Sequence, residues 1–435
     1  MSSSAFFNRF ARHVTARIAP ISVAVGVAVA VGGNIEYSKN AAYCSNGSEK
    51  TSYIPYKAEE SKFKQKINSD DGSFGHVTLD DLCLIAGHGH EKLAHDVADV
   101  IGVPIAKTTF KKFSDGELLI QLDENVRGRD VFVLQSCTAP VNESVVELLL
   151  TISCARRAGA RKVIAVVPYF GYKHHRRHSQ ISTKHQSRIL SSGAMDFAKM
   201  MQEMGVDRVI AVDLQRPGQG NEACFFDTTI PCEVLMSLEL LVKHFINNVK
   251  LDPNQPIIVI APNAESFKKA RKFQLELQKR LPNKNKIKMA AFFDHSDTKT
   301  DVSDDKSLQL VGNDVNLNGA NVIIVDDIID TAGTLTSICK RLQIAGVKDV
   351  YIAASHGLFT NNAMESIENS EVLKQVVVTD SLPLNVNNNG EKFISNKVIQ
   401  VGIAPMLANI IQAEYFRWGK DDEEGTHGMQ DDDDE

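Results

Sequence analysis

No two of the seven cysteines of this 435-residue chain stand in a Cys-x-x-Cys pair. Cys44, Cys83, Cys137, Cys154, Cys224, Cys232 and Cys339 are scattered, and their spacing fits neither a zinc site nor a paired disulfide framework. An odd, dispersed set of thiols suits a reducing compartment, with each cysteine a small core or surface residue. No apolar run is long enough for a stable membrane span: Ile18–Gly33 has 16 residues, and crossing a bilayer takes about 20. That stretch has the length of a signal-peptide apolar region or of a weak anchor. The basic clusters are short and carry no interleaved aromatics, which leaves a nucleic-acid role little support. A composition of 43% hydrophobic and 23% charged residues excludes disorder throughout, collagen and a disulfide-dense secreted scaffold.

Acid is missing from the start of the chain. Glu36 is the first, preceded by Arg9, Arg12 and Arg17 among Ser2–Ser4, Phe6, Phe7 and Phe10. An Arg-spaced, Ser-rich, partly amphipathic start resembles organelle transit peptides. Residues 1–80 are therefore expected to be a leader and linker with a mitochondrial destination. A secretory or plastid leader, or a cytoplasmic protein without targeting, are the alternatives. Tyr37 to about Asp80 is rich in Ser, Lys and Asn, as linkers are. At the other end, Asp421–Glu424 and Asp431–Glu435 put nine acids into the last fifteen residues, so residues 420–435 read as a solvated acidic tail. The formal charge of −6 is a property of those nine acids, since without the last fifteen residues the chain carries +3.

Between about Leu82 and Trp418, short apolar runs alternate with amphipathic stretches. The runs are Leu82–Ala86, Val131–Gln135, Val163–Val167, Val209–Val212, Ile257–Ile260, Val322–Val325, Val350–Ala353, Val376–Val378 and Val398–Val401. Near-continuous, β-branched runs of this length are expected of parallel strands buried on both faces. Glu143–Arg157 has a helical period, so the class is α/β. A faint repeat supports two tandem units. Gly128-Arg129-Asp130-Val131 and Gly319-Ala320-Asn321-Val322 each open a strand, and a helix ending in Ala-Gly (Ala158-Gly159, Ala345-Gly346) and another strand follow. A single large sheet is the alternative. The boundary is placed near Cys232–Glu233, giving domains 81–232 and 233–419.

The strongest chemical signal is the run from Val322 to Leu335, in which an apolar strand ends in Asp326-Asp327 and a loop Asp330-Thr331-Ala332-Gly333-Thr334 leads into a helix. A loop at a helix N-terminus aims backbone N–H groups at one spot, and the helix dipole favours an anion there. Gly333 permits close approach, while the Thr331 and Thr334 hydroxyls can donate to phosphate oxygens. Asp326 and Asp327 stand where open α/β sheets bind ligands, able to accept from sugar hydroxyls or to face a hydrated Mg²⁺. An Asp-rich turn with Thr as N-cap is the structural alternative.

This run resembles the Asp-Asp-x-x-Asp-Thr-x-Gly-Thr signature of proteins that bind 5-phosphoribosyl diphosphate (PRPP), both phosphoribosyltransferases and ribose-phosphate diphosphokinases. The remaining segments resemble the latter, the PRPP synthetases. They are Lys112-Phe113-Ser114-Asp115-Gly116-Glu117, Glu124–Val131, Asn142–Leu150, Tyr169-Phe170-Gly171-Tyr172, Ile210–Leu214 and Phe225-Phe226-Asp227. The similarity runs from about Leu84 to Arg417. It implies two tandem phosphoribosyltransferase-like domains, each a mostly parallel sheet flanked by helices. It also implies transfer of the β,γ-diphosphoryl group of ATP, with Mg²⁺, to ribose 5-phosphate in a homo- or hetero-oligomer with PRPP synthetase subunits.

By the same resemblance, Asp326, Asp327, Asp330, Thr331, Ala332, Gly333 and Thr334 hold ribose 5-phosphate. Phe113, Asp115 and Glu117 contact the adenine of ATP on a neighbouring subunit. The metal site takes Asp213, Gln215, Asp227 and Glu233. The departures gather on catalysis: Gln215 stands for a His, and Glu233 for an Asp. The basic run Lys173-His174-His175-Arg176-Arg177-His178 replaces an Arg-Gln loop, with His174, Arg176 and Arg177 as candidates for the ATP phosphates and a histidine metal site as an alternative. Pro262-Asn263-Ala264-Glu265-Ser266 replaces Pro-Asp-Ala-Gly-Gly, and the Lys and Arg of the catalytic loop fall near Asp294 and Ser296. Lys299 and Lys306 are the substitute cations within reach of that segment. Three readings follow: an active synthetase, a weak or inactive regulatory subunit of one, and another sugar-phosphate binder.

Overall fold

Runs of Val, Ile and Leu without polar interruption form strands covered on both sides, because each face then buries apolar surface. The computed structural model describes residues 53–54, 79–172, 193–214, 226, 230–249, 251, 255–281, 286–294, 308–312, 315–384 and 395–424. The leader, most of the linker and the end of the acidic tail lie outside them.

After a two-residue strand, β1 (Tyr53–Ile54), the chain builds a five-stranded parallel sheet. β2 (Leu82–Ala86) is at one edge, followed by helix α1 (Glu91–Ile101). A separate antiparallel hairpin, β3 (Thr108–Lys112) and β4 (Leu118–Leu122), precedes β5 (Asp130–Leu134) and α2 (Val141–Arg157). β6 (Lys162–Val167), α3 (Gly193–Glu203), β7 (Arg208–Val212) and β8 (Cys232–Leu235) complete it in the order β2-β5-β6-β7-β8.

The second sheet follows α4 (Leu238–Asn247). Its elements are β9 (Ile257–Ala261), α5 (Phe267–Arg280), β10 (Ile287–Asp294), β11 (Leu308–Val311), β12 (Asn321–Ile329) and α6 (Gly333–Ile344). β13 (Asp349–Gly357), α7 (Ala363–Glu368), β14 (Leu373–Thr379), β15 (Val398–Val401) and α8 (Ala404–Glu424) end the described chain. The order is β1-β15-β14-β13-β12-β9-β10-β11, parallel throughout except for β10 against β11.

The repeat seen in sequence is a repeat in structure. Gly128 and Gly319 both adopt positive φ (75° and 69°), as do Gly159 and Gly346 (84° and 77°). The N–H of Gly128 donates to Gly159 O at 2.9 Å, and that of Gly319 to Gly346 O at 2.8 Å. Each pair closes the base of one β–α–β unit, β5-α2-β6 or β12-α6-β13. The left-handed backbone at these turns is what glycine supplies without strain.

Each sheet has apolar clusters on both faces. One face of the first sheet is covered by α1 and, from the far end of the chain, by α8, whose Leu407, Ala408, Ile411 and Tyr415 pack with Leu84, Leu93 and Val97. The described residues thus form one compact unit. Two strands outrun their apolar runs. β12 continues through Asp326-Asp327 to Ile329, and β13 through Ser355-His356 to Gly357. Backbone pairing carries both past the point where hydrophobic pattern stops, which projects polar side chains at the carboxyl ends.

Candidate functional site

The two sheets meet through residues just beyond, or at, their carboxyl ends. His90 Nε2 pairs with Asp380 O at 2.7 Å, the Ser136 hydroxyl donates to Ser381 O at 2.7 Å, and Tyr169 lies edge-on to His356 with centroids 5.0 Å apart. This is the side on which open α/β sheets take ligands.

β12 places its acids there. Asp326 is 5% exposed. Its Oδ1 accepts from the Asp327 N–H at 2.9 Å and from the Ser266 hydroxyl at 2.6 Å. Burial and then the adjacent Asp327 carboxylate push the Asp326 acid up to about 7, against the Ser266 donor, which favours the charged form. The strand gives way to the loop at Asp330, which accepts a hydrogen bond from the Thr360 hydroxyl. Ala332 is buried and left-handed (φ 57°), so the chain reverses sharply into α6 at Gly333. No side chain caps the first turn, whose N–H groups face the end of the loop. Thr331, Gly333 and Thr334 are exposed. Nothing in the fold demands glycine at 333, since a Cβ there would meet only Thr331 Oγ1 at 3.7 Å. Close approach of an anion to the backbone is a sufficient reason for it.

Phe113, Asp115 and Glu117 are brought together at the exposed tip of the β3–β4 hairpin. The Phe113 N–H donates to Glu117 O at 2.8 Å, the Glu117 N–H donates to Asp115 Oδ1 at 3.1 Å, and Lys111 Nζ lies 5.1 Å from the Phe113 ring centre. Phe113 is 42% exposed, a flat apolar face open to a planar ligand. His174, Arg176, Arg177, Gln215, Asp227, Lys299 and Lys306 lie outside the described residues.

The described members of the expected metal site are not brought together. Glu233 pairs with Ile210 in the β7–β8 ladder, whereas Asp213 follows β7 and is level with the residue after Leu235. That is a three-residue offset, about 10 Å along the strands. Asp213 is itself engaged: its Oδ2 accepts from the Ser237 N–H at 3.2 Å and from the Ser237 and Ser355 hydroxyls, and Lys269 Nζ lies 3.8 Å away. These donors do not fit a divalent ion, because a buried ammonium would repel one bound beside it by several kcal/mol. No group of three His, Cys, Asp or Glu among the described residues could hold a metal.

Ser237, Lys269 and Ser355 are the polar residues that motif reasoning missed, while Ser266, noted only as a replacement for glycine, is revealed as a donor to Asp326. Lys269 sits in Phe267-Lys268-Lys269-Ala270-Arg271-Lys272, which has the look of a solvated basic face. Only its helical phase marks it: Phe273 and Leu277, four and eight residues on, are fully buried.

Residues 82–205 match the family model for the N-terminal domain of ribose phosphate pyrophosphokinase, and 258–417 match that for the phosphoribosyl synthetase-associated domain. The ribose-phosphate pyrophosphokinase of Clostridium tetani is 33% identical over 335 residues, covering 77% of this chain and 94% of that protein. The chain belongs to the ribose-phosphate pyrophosphokinase, or PRPP synthetase, family. The relative from Staphylococcus saprophyticus is 35% identical over 337 residues, again 77% of this chain and 94% of its own. In structure, the phosphoribosylpyrophosphate synthetase of Mycobacterium smegmatis superposes with a TM-score of 0.63 at 29% identity, covering 77% of this chain and 99% of that one. Two phosphoribosyltransferase-like α/β domains are therefore the architecture of this PRPP synthetase family member.

Proposed function

We propose that this chain is a ribose-phosphate diphosphokinase that makes PRPP for nucleotide biosynthesis. The 1-hydroxyl oxygen of ribose 5-phosphate attacks the β-phosphorus of ATP. The bond from that phosphorus to the α–β bridging oxygen breaks, AMP leaves, and the hydroxyl proton goes to solvent or a base. Asp326 and Asp327 accept from the sugar hydroxyls, and the loop 330–334 receives the 5-phosphate. Phe113, Asp115 and Glu117 serve adenine bound by a neighbouring subunit of a homo- or hetero-oligomer, with Mg²⁺ arriving on the nucleotide. The observation that carries the proposal is the Asp326-Asp327 strand end running into an uncapped, glycine-opened helix start. The acid-free leader supports a mitochondrial location, with the cytoplasm or a plastid as the alternatives. No helix among the described residues is long and apolar enough to cross a membrane.

A second reading, a weak or inactive regulatory subunit, is favoured by Glu265 and Ser266 standing where the family resemblance implies a glycine pair, and by the engagement of Asp213. Purified full-length protein assayed for AMP from ATP, Mg²⁺ and ribose 5-phosphate separates the two. Turnover by the chain alone supports the first. No turnover alone, with altered turnover of an added active synthetase, supports the second and sinks the first.

A further inference from the structure

Helix α5 carries a lysine on its buried face. Lys269 is 2% exposed, and its ammonium donates to the Ser355 hydroxyl and lies 3.8 Å from Asp213 Oδ2. Asp213 is 1% exposed and follows β7 with a left-handed φ of 45°. The same Oδ2 accepts from the Ser237 N–H and from the Ser237 and Ser355 hydroxyls, which are 2.9 Å apart. Four segments therefore converge on one carboxylate oxygen: the end of β7, the start of α4, the first turn of α5 and the end of β13. Two of these follow or complete the first sheet, and two belong to the second.

A buried ammonium is tolerated only with a counter-charge and hydrogen bonds, and the same holds for a buried carboxylate. Each is the other's compensation here. We propose that Lys269 is the resident cation of this site. It neutralises Asp213 in place of a divalent ion and, as a positioning residue, holds the carboxyl end of β7 against β13 and α5. The inference rests on the family reading for one point only, that Asp213 matches an acid expected near a metal. The cluster itself stands on its own geometry.

If the pair is mutually compensating, removing one charge is costly and removing both is much less so. In full-length protein, Lys269→Met is expected to lower the urea-unfolding midpoint, and Lys269→Met with Asp213→Asn to recover most of the loss. Titration with Mn²⁺ alone, read by the electron paramagnetic resonance of the free ion, is expected to give the same number of bound ions in wild type and double variant, with affinities within twofold. A merely structural lysine above a metal-binding Asp213 would not give that equality. A double variant as unstable as the two single changes combined overturns the proposal. So does the loss of one Mn²⁺ equivalent, or a tenfold weaker one. Should Lys269→Met fail to fold, the Mn²⁺ comparison on the charge-neutral double variant decides. Neither arm uses turnover, so an inactive wild type would count against the proposed function while leaving this result readable.

Discussion

Asp326 has its acidity set by its burial, by the carboxylate of the adjacent Asp327, and by the Ser266 hydroxyl that the fold brings to it. The first two favour the proton and the third favours the charge. A sugar hydroxyl donates better to a carboxylate than to a carboxylic acid, so ribose 5-phosphate affinity is expected to rise as pH passes upward through about 7. Ser266→Ala removes the donor that favours the anion, so the rise should move to higher pH and affinity at pH 7 should fall about three- to tenfold. Calorimetry from pH 6 to 8.5 measures both. Superimposable profiles for wild type and variant would show that the Ser266 bond has no bearing on the sugar site. At this scale the sequence was legible where residue type and spacing state the chemistry, as in Asp326-Asp327 and Thr331-Ala332-Gly333-Thr334. It was opaque at Ser266 and Lys269, whose partners Asp326, Ser355 and Asp213 are 60, 86 and 56 positions away in the chain.

Among the elements, α8 has the most consequential placement. It follows the last strand of the second sheet yet fills one face of the first, with Leu407 fully buried between α1 and the strands. Leu407→Ala is expected to cost about 2–5 kcal/mol of unfolding free energy, read by urea denaturation, although it touches neither candidate ligand site. A loss below about 1 kcal/mol would mean that the helix does not hold the first sheet. The strands buried on both faces were legible because an unbroken apolar run has few other outcomes; β2 and β15 fall on Leu82–Ala86 and Val398–Val401. β3, β4 and β11 were not, since their side chains alternate or mix polar with apolar in short runs. β8 (Cys232–Leu235), half-buried along its length, gives no continuous apolar signal either.

Among the described residues the two large sheets join at the carboxyl ends of their strands, and buried titratable groups line that join. Burial pushes Asp380 up to about 7, with Asp96 adding to the effect, while the Ile403 N–H, bonded at 2.8 Å, and Lys92 oppose it. Its native acid therefore holds a proton that the unfolded acid, near 3.9, releases. Stability from this group is full below the unfolded value and lost as pH rises towards 7. Asp380→Asn keeps an acceptor for Ile403 without the charge. Its gain in unfolding free energy over wild type should therefore grow by on the order of 3 kcal/mol between pH 5 and pH 8. A constant difference across that range would contradict a buried acid at the join. His90 acts in the opposite sense: burial lowers it to about 4, so its contribution is present above its ordinary value of 6.5 and lost as pH falls towards 4.

The measurement closest to the centre of this account is ribose 5-phosphate binding by calorimetry at pH 8, with the full-length chain and with Asp330→Asn combined with Thr334→Ala. Both the active and the regulatory readings need the loop before α6 to hold the sugar phosphate. The wild type should bind, and the double variant should bind at least a hundredfold more weakly with its unfolding midpoint little changed. Undiminished binding by the variant would contradict the site, as would no binding by the wild type.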